Sequence, residues 1–300
     1  MKSIIQVVVG NKGFIILGLV VSLSQWVSAG SLPIMTDHPW IGYFSGYERR
    51  GFEFGIREDG QCEVYLIASK TKKRIGMART INIQAEVIVE DDQGRRTTQK
   101  LKKGSLSTEM KAGADHRDVR FKAESTGGAK FEVRVEYDGN RIMMDGRILD
   151  RGSIKGEKIY MGFCVKVPAM YGKSTYDGAD EKKVKAAMRS DRIRMTRADD
   201  RKRVSLKSYE FVDLQDKNIA LGGVTELYVS MKSQEGNDFI FTTEHRKGVI
   251  DVTYKQEHLK APMWKGYLVK WRREFTDAPA SKKPGYRGGA GNSPLVIEFR

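Results

Sequence analysis

Residues 130–137 read KFEVRVEY, and this stretch decides the fold class. Its apolar residues occupy every second position, and charged residues fill the positions between them. This alternation is the pattern of a β-strand with one face in the core and the other in solvent. Residues 118–124, DVRFKAE, alternate in the same way, and the STGG between the two stretches predicts a turn.

The same layout recurs along most of the chain. Residues 141–150, RIMMDGRILD, follow a turn that contains Asp-Gly-Asn, and residues 51–68 form two alternating stretches around another Asp-Gly. Asp-Gly favours the tight turn of a β-hairpin. We therefore predict an all-β protein with at least a dozen strands, built as antiparallel β-sandwich or barrel-like domains. Five further stretches are read as strands: residues 80–89, 159–167, 238–245, 249–255 and 265–271.

One stretch has helical rather than strand character. Residues 179–190, ADEKKVKAAMRS, begin with acidic residues, end with basic ones and hold good helix formers between them. This short helix predicts a linker and divides the chain into two domains; the alternative is one continuous large sandwich. The expected organisation is a signal peptide at 1–29, β-domains at 38–170 and 191–275, a linker with the helix at 171–190, and a flexible tail at 276–300 that ends in a strand.

The two predicted domains resemble each other at an offset of 108 residues. Residues 119–137 align with residues 227–245 without a gap, and the apolar positions keep their phase. The identity is low, and any two hairpins of equal length would share part of this pattern. We predict an internal duplication as the interpretation that the phase favours.

The N-terminus predicts export. Lys2 and Lys12 precede a short apolar core at residues 14–21, and small residues precede Gly30 at the positions of a signal-peptidase site. The alternative is an uncleaved anchor, although a membrane span needs roughly 20 mostly apolar residues. Cleavage would leave no transmembrane segment and would place the protein in the periplasm or outside the cell. The formal charge of +15 would fall to +13, since residues 1–29 hold two lysines and no acidic residue.

Cys62 and Cys164 are the two cysteines of the chain. An exported protein with an even number of cysteines commonly pairs them, so a Cys62–Cys164 disulfide is one prediction. The other is that both are buried free thiols, which pack as small apolar groups.

Positive charge is concentrated in one segment. Residues 181–210 hold eleven basic and five acidic side chains, a net charge of +6. Within it, RIRMTR alternates as a strand does, ADDRKR predicts a hairpin turn, and VSLKSYEF predicts the returning strand. The interpretation that involves no binding function is a solvated strand face. The functional one is a polyanion-binding surface formed by Arg192, Arg194, Arg197, Arg201, Lys202 and Arg203.

The sequence carries few signatures of catalysis. Its four histidines, at 38, 116, 245 and 258, have no metal-ligand spacing, and nucleotide-binding and nucleophile motifs are missing. We therefore expect no catalytic residue, no metal and no cofactor. Acidic residues on the strands alternate with basic ones, which is typical of a solvated face with ion pairs. Trp40 and Tyr43 are candidate glycan-stacking residues if their rings are exposed; the alternative is that they belong to the core.

Three functions are compatible with these features. The leading hypothesis is an exported, non-catalytic binding or structural protein that contacts anionic polymers or glycan surfaces, with no nucleic acid as partner. The second is a secreted polysaccharide hydrolase with two close carboxylates. The third is an assembly protein whose C-terminal strand, LVIEF at 295–299, pairs with a neighbouring chain instead of its own sheet.

Overall fold

The structure, a computed structural model, describes residues 32, 34–36, 40–75, 80–110, 117–169, 181–234, 236, 238–243, 249–256, 259–275 and 294–300. The expected signal peptide lies outside the described residues. So do residue 170 of the first expected domain, residues 171–180 of the expected linker, residues 276–293 of the expected tail, and all four histidines. Predictions on those segments stay predictions.

Nine strands are described before residue 170. They follow the alternation of the sequence closely: Phe131, Val133 and Val135 of KFEVRVEY are fully buried, as the pattern predicts. The strands are β1 (Tyr43–Arg49), β2 (Phe52–Arg57), β3 (Cys62–Leu66), β4 (Ile81–Glu90), β5 (Arg96–Lys100), β6 (Asp118–Glu124), β7 (Lys130–Asp138), β8 (Arg141–Asp150) and β9 (Lys158–Pro168).

One α-helix, α1 (Glu181–Ala187), and nine more strands lie in the described residues after position 180. The helix lies inside the predicted range 179–190 and packs Val184 into the core, and Met188, directly after the helix, is buried as well. Short 3-10 turns occur at Lys232–Gln234 and Met263–Lys265. The strands are β10 (Arg192–Arg197), β11 (Arg203–Lys207), β12 (Phe211–Asp213), β13 (Val224–Ser230), β14 (Phe239–Thr243), β15 (Ile250–Thr253), β16 (Lys260–Pro262), β17 (Gly266–Glu274) and β18 (Leu295–Phe299).

The all-β prediction is confirmed. Sixteen strands form one antiparallel sheet with the order β1-β2-β3-β4-β9-β17-β15-β13-β14-β18-β8-β7-β6. The hairpin of β10 and β11 branches from β13, β5 pairs with β4, and β12 forms a separate pair with β16. In the described part of the chain, no helix has the length and apolar character needed to cross a bilayer.

The large sheet curves until its two ends pack on each other, which gives a nearly closed, barrel-like shape. The Tyr47 ring of β1 stacks on the Tyr137 ring of β7, with centroids 4.6 Å apart. The Tyr47 hydroxyl donates a hydrogen bond of 3.0 Å to the carbonyl of Gly139. Phe52 of β2 stacks on Phe299 of β18 at 3.9 Å. Aromatic packing therefore joins β1 and β2, at one end of the strand order, to β7 and β18 in its other half.

The sheet crosses the predicted domain boundary without a break. β9 pairs with β17 from Pro168↔Gly266 to Tyr160↔Glu274, and β18 lies between β14 and β8. At the predicted offset of 108 residues, β10 is the counterpart of β4. The two strands have different partners, however: β4 pairs with β9, whereas β10 pairs with β13. The two-domain division and the duplication thus remain predictions.

Candidate functional site

The predicted hairpin within the basic segment is confirmed. β10 pairs with β11 from Arg192↔Lys207 to Thr196↔Arg203, and residues 198–202 connect the two strands. Arg201 in this connection has a left-handed backbone with φ of 59°, which is uncommon for a residue with a side chain. We call residues 192–207 the basic hairpin.

One face of the basic hairpin is apolar and the other is basic. Ile193 and Met195 are buried, with 2% and 1% of their surfaces exposed. Because side chains alternate along a strand, Arg192 and Arg194 lie on the opposite face. Cross-strand partners share a face.

The cross-strand pairs bring two more cations to the basic face. Arg203, opposite Thr196, and Lys207, opposite Arg192, lie on the same face as the two β10 arginines. We call this set the outer basic row: Arg192, Arg194, Arg203 and Lys207.

The tip of the hairpin is largely neutralised by its own aspartates. Arg197 donates from Nε to Asp199 Oδ1 at 3.0 Å, and its Nε lies 3.3 Å from Asp200 Oδ1. Lys202 Nζ lies 3.4 Å from Asp200 Oδ2. The hydrogen bond from Arg197 is the main reason why the pKa of Asp199 falls to about 2, so Asp199 is ionised at neutral pH. Arg197 and Lys202 therefore offer less free charge than the sequence predicts.

The three arginines of the outer basic row form no ion pair with an acidic side chain of the described residues. The Arg194 guanidinium lies 4.0 Å from the centre of the Tyr228 ring, a cation–π contact that orients it without neutralising it. Arg192 donates from Nη1 to the carbonyl oxygen of Asp191 at 2.8 Å. Arg203 is exposed on β11.

A buried carboxylate fixes the start of the hairpin. Asp191 is fully buried and accepts hydrogen bonds from the backbone nitrogen of Ser233 at 2.7 Å and from its hydroxyl at 2.5 Å. These bonds tie the chain between α1 and β10 to the segment after β13. The base of the outer basic row is therefore rigidly placed, while its side chains face outward.

Trp40 and Tyr43 are not exposed, which corrects the expectation on which their glycan-stacking role depended. They are 9% and 8% exposed. Their rings lie against two strand glycines: a Cβ on Gly46 would come within 2.6 Å of the Trp40 ring, and one on Gly55 within 2.5 Å of the Tyr43 ring. The rings thus pack flat on the backbone of β1 and β2, as glycine in a strand permits.

The Tyr43 ring also takes part in a polar cluster on the outside of the sheet. Its hydroxyl donates to the buried carboxylate of Glu63. Gln61 Nε2 donates to the same carboxylate at 3.3 Å, and Arg57 Nη1 lies 3.5 Å from it. Burial is the main reason why the pKa of Tyr43 is raised, and the bond to Glu63 adds to this shift. Every group in this cluster has a partner inside it, which indicates a structural role.

The cysteines do not form the predicted disulfide; both are free. Cys62 of β3 is opposite Ile83 of β4, and Cys164 of β9 is opposite Gln84. Ile83 faces the core and Gln84 faces outward, so the two thiols lie on opposite faces. They are also two strands apart, about 10 Å, which exceeds the reach of a disulfide.

We expect both thiols to be present but slow to react. Burial raises the pKa of the Cys62 thiol and, as the largest effect, raises that of Cys164 to about 11. Thiolates are the reactive species. Maleimide labelling without reductant should therefore add two labels in denaturant and almost none in native protein at pH 7. If denatured protein takes up label only after reduction, a disulfide is present and the strand placement is wrong.

No group of three or more His, Cys, Asp or Glu that could hold a metal occurs among the described residues. Glu132 and Glu136 lie on the outer face of β7, where each is ion-paired: Glu132 to Arg147 and Glu136 to Arg134. The expected face of alternating charges with ion pairs is confirmed for this strand. These carboxylates therefore do not form the free, closely spaced pair that a glycoside hydrolase needs.

Comparison with known proteins does not indicate a function. No protein-family model matches the chain, and no curated protein sequence matches it. The outer basic row is thus the feature on which a function can be argued. Sequence reasoning found its three arginines and missed Lys207 and Tyr228. Alternation along VSLKSYEF would have added Lys207, whereas Tyr228 required knowledge that β13 pairs with β10.

Proposed function

We propose that this is an exported, non-catalytic protein that binds anionic polymers or anionic glycan surfaces through the outer basic row. The observation that carries the proposal is that Arg192, Arg194 and Arg203 share one open face and form no ion pair with a described acidic side chain. Guanidinium groups bind sulfate, phosphate and carboxylate through paired hydrogen bonds.

The charge of the whole chain supports the same partner class. Export would leave a formal net charge of +13, and a net positive charge raises the local concentration of anionic partners and speeds their encounter. Outside the cytoplasm, the polyanions that a protein meets are acidic glycans, cell-wall polymers and lipid head groups rather than a genome. Location in the periplasm or outside the cell is part of the proposal.

The proposal assigns unequal roles to five of the six basic residues predicted from the sequence and none to Arg201. Arg192, Arg194 and Arg203 make the main contacts, together with Lys207. Arg197 and Lys202 contribute less, because Asp199 and Asp200 already hold them.

We also propose the internal duplication, which supplies a matched hairpin. At the offset of 108 residues, the hairpin of β4 and β5 corresponds to the basic hairpin. In the first hairpin Arg95 is paired with Asp91 and Arg96 with Glu90. If the halves share an origin, the two hairpins differ in that the arginines of the first are ion-paired and those of the outer basic row are not.

Removing the three arginines of the outer basic row should weaken binding and make it less dependent on salt. We expect the protein of residues 30–300 to be retained on immobilised heparin well above roughly 0.15 M salt, where exposed charges are screened beyond about 8 Å. Changing Arg192, Arg194 and Arg203 to Ala should lower the slope of log K against log salt by about 2 to 3, close to one per lost contact. Affinity measured across a salt gradient gives both the salt concentration at which binding is lost and the slope of log K against log salt.

The matched control changes Arg95, Arg96 and Lys100 to Ala in the hairpin of β4 and β5. It removes three positive charges as well, so equal losses in both variants would show that only net charge matters and would overturn the proposed site. A variant with Lys at positions 192, 194 and 203 keeps the charge but loses the guanidinium fork. Intermediate binding by that variant is the result expected of a directional contact. Near-zero retention of the unmodified protein at 0.05 M salt on both heparin and a neutral polysaccharide would overturn the function.

A further inference from the structure

The outer edge of β11 is an unpaired edge of the large sheet. Among the described strands, β11 pairs with β10 and with no other. The Arg197 N–H donates to the carbonyl of Lys202 at 3.0 Å, and hydrogen-bonded pairs alternate with unbonded pairs along an antiparallel ladder. In this register, the backbone N–H and C=O groups of Arg203, Ser205 and Lys207 point away from β10.

One end of this edge is closed, and the rest of it is open. The Lys207 N–H donates to Glu210 Oε2 at 2.9 Å, and the Lys207 carbonyl accepts from the Glu210 N–H at 3.0 Å. The outward N–H and C=O groups of Arg203 and Ser205 form no hydrogen bond with a described residue, and both residues are exposed. These four backbone groups form a template onto which another strand can add.

The two faces of β11 differ in character. Val204 packs against the core and Leu206 is 8% exposed, so these two residues form an apolar inner face. Arg203, Ser205 and Lys207 lie on the opposite face, since side chains alternate along a strand. An added strand would therefore meet apolar residues on one of its faces and positive charge on the other.

The edge of β5, the counterpart of β11 in the first hairpin, lacks this two-sided character. The Asp91 N–H donates to the Arg95 carbonyl at 3.0 Å, so in this register the Thr98 N–H points away from β4. Thr97 and Gln99 lie on the face where β4 is buried, but they are polar. An added strand would bury little apolar surface beside β5, which has the polar and charged residues of an ordinary protected edge.

The charges of β11 determine which strand fits its edge. If two copies of the chain paired antiparallel about Ser205, Arg203 of each copy would lie opposite Lys207 of the other. Like charges directly opposite each other are destabilising, whereas opposite charges stabilise a cross-strand pair. A carboxylate opposite Ser205 would lie diagonally between Arg203 and Lys207, within reach of both long side chains. The edge therefore disfavours a second copy and favours an acidic strand.

We propose that the outer edge of β11 binds an extended segment of a partner protein in which acidic and apolar residues alternate. The acidic residues lie opposite Arg203, Ser205 and Lys207, and the apolar residues lie opposite Val204 and Leu206. Backbone hydrogen bonds to Arg203 and Ser205 hold the segment in register. The segment shares two cations with the outer basic row, but it also depends on backbone groups that binding of an anionic polymer does not require.

The first test titrates a fluorescein-labelled peptide, with the core Glu-Val-Glu-Val-Glu, with the intact chain and follows fluorescence anisotropy. In an antiparallel addition, the amides of the second and third Glu face Ser205 and Arg203, and the amides of both Val face away. N-methylation of those two Glu amides should weaken binding by at least about tenfold, because two hydrogen bonds are lost. N-methylation of the two Val amides keeps the same composition and charge and should leave binding unchanged. Equal affinity of the two methylated peptides would overturn the proposal, since charge alone would then attract the peptide.

The second test changes the edge itself. Ser205→Pro removes the outward N–H at the centre of the edge without taking a bond from β10, and proline is tolerated at such edge positions. It should weaken binding of the peptide by at least about tenfold. Thr98→Pro, which removes an outward N–H from β5, is the matched control and should leave binding unchanged. Peptide binding that survives Ser205→Pro would overturn the proposal.

Heparin binding separates this proposal from the proposed function. Ser205→Pro keeps every cation of the outer basic row, so its retention on heparin should equal that of the unmodified protein, which also shows that the variant is folded. An unmodified protein that is retained on heparin but does not bind the peptide would overturn the strand addition and leave the proposed function standing. The comparison of the two methylated peptides uses the unmodified protein and decides the question even if Ser205→Pro fails to fold.

Discussion

Deletion of residues 295–300 should prevent the protein from folding cooperatively. These residues form β18, which lies inside the sheet between β14 and β8. Its loss would leave the paired edges of both neighbours open and would expose the apolar surface that β18 covers. Circular dichroism during thermal and urea unfolding checks the result: we expect a broad transition of low amplitude, or insoluble protein.

The size of the effect follows from burial. Leu295, Val296 and Ile297 are fully buried, and Phe299 is 3% exposed. Burying one such side chain contributes about 1.5–3 kcal/mol, so the four together contribute about 6–12 kcal/mol. The whole stability of a typical domain is about 5–15 kcal/mol. Losing β18 therefore removes an amount comparable to the total.

The controls distinguish the effect of losing β18 from the effect of changing the last residue of the chain. Arg300→Ala changes an exposed side chain whose ion pair with Glu298 lies at the surface, and such pairs contribute about 0–1 kcal/mol. A peptide of residues 294–300 added to the deletion variant should restore a cooperative transition. A deletion variant that melts as sharply as the full chain would show that β18 is dispensable. If that variant also loses self-association, the C-terminal strand serves assembly rather than the fold.

Local patterns predicted the local elements of this fold. The alternation in KFEVRVEY gave a strand at 130–137, and β7 covers Lys130–Asp138. The expected turn within ADDRKR lies between β10 and β11, and α1 lies inside the predicted helix. Each of these depends on contacts between residues close in sequence, where periodicity and turn chemistry act directly.

The order of the strands could not be predicted, because it depends on pairing between distant segments. Nothing in LVIEF indicates that its partners are β14 and β8, which lie in different halves of the chain. The burial of Trp40 and Tyr43 has the same origin. Their rings lie on Gly46 and Gly55, and only the finished pairing of β1 with β2 places those glycines beneath them.

The outer basic row could be predicted from the sequence only in part. Alternation in RIRMTR identifies Arg192 and Arg194 as neighbours on one face. It does not show which cations are neutralised, since Arg197 meets Asp199 and Asp200 only through the shape of the turn. The free charge of a basic segment is therefore a property of its folded hairpin rather than of its composition.

Arg273→Met should be among the most destabilising single substitutions in the chain at neutral pH. Arg273 of β17 donates from Nη1 to both carboxylate oxygens of Asp145, at 3.2 and 3.1 Å. Asp145 is 4% exposed. Removing one partner of a buried ion pair leaves the other charge without compensation, and we expect a loss of about 3–5 kcal/mol in the free energy of unfolding. The matched control is Arg272→Met, which breaks the more exposed pair with Asp251 and should cost about 0–1 kcal/mol.

The dependence of this loss on pH identifies Asp145 as its cause. Burial raises the pKa of Asp145 above its usual range, and Arg273, followed by smaller effects that include Arg134, opposes the rise. Because the folded-state pKa lies above the unfolded one, ionisation of Asp145 lowers stability as pH rises through that interval. Without Arg273 the pKa rises further, so the gap between Arg273→Met and the unmodified protein should be largest at neutral pH. It should narrow as pH falls and Asp145 becomes protonated in both proteins. Adding Asp145→Asn to Arg273→Met should recover most of the stability at pH 7, whereas a loss that stays constant with pH would mean that Arg273 acts through packing alone.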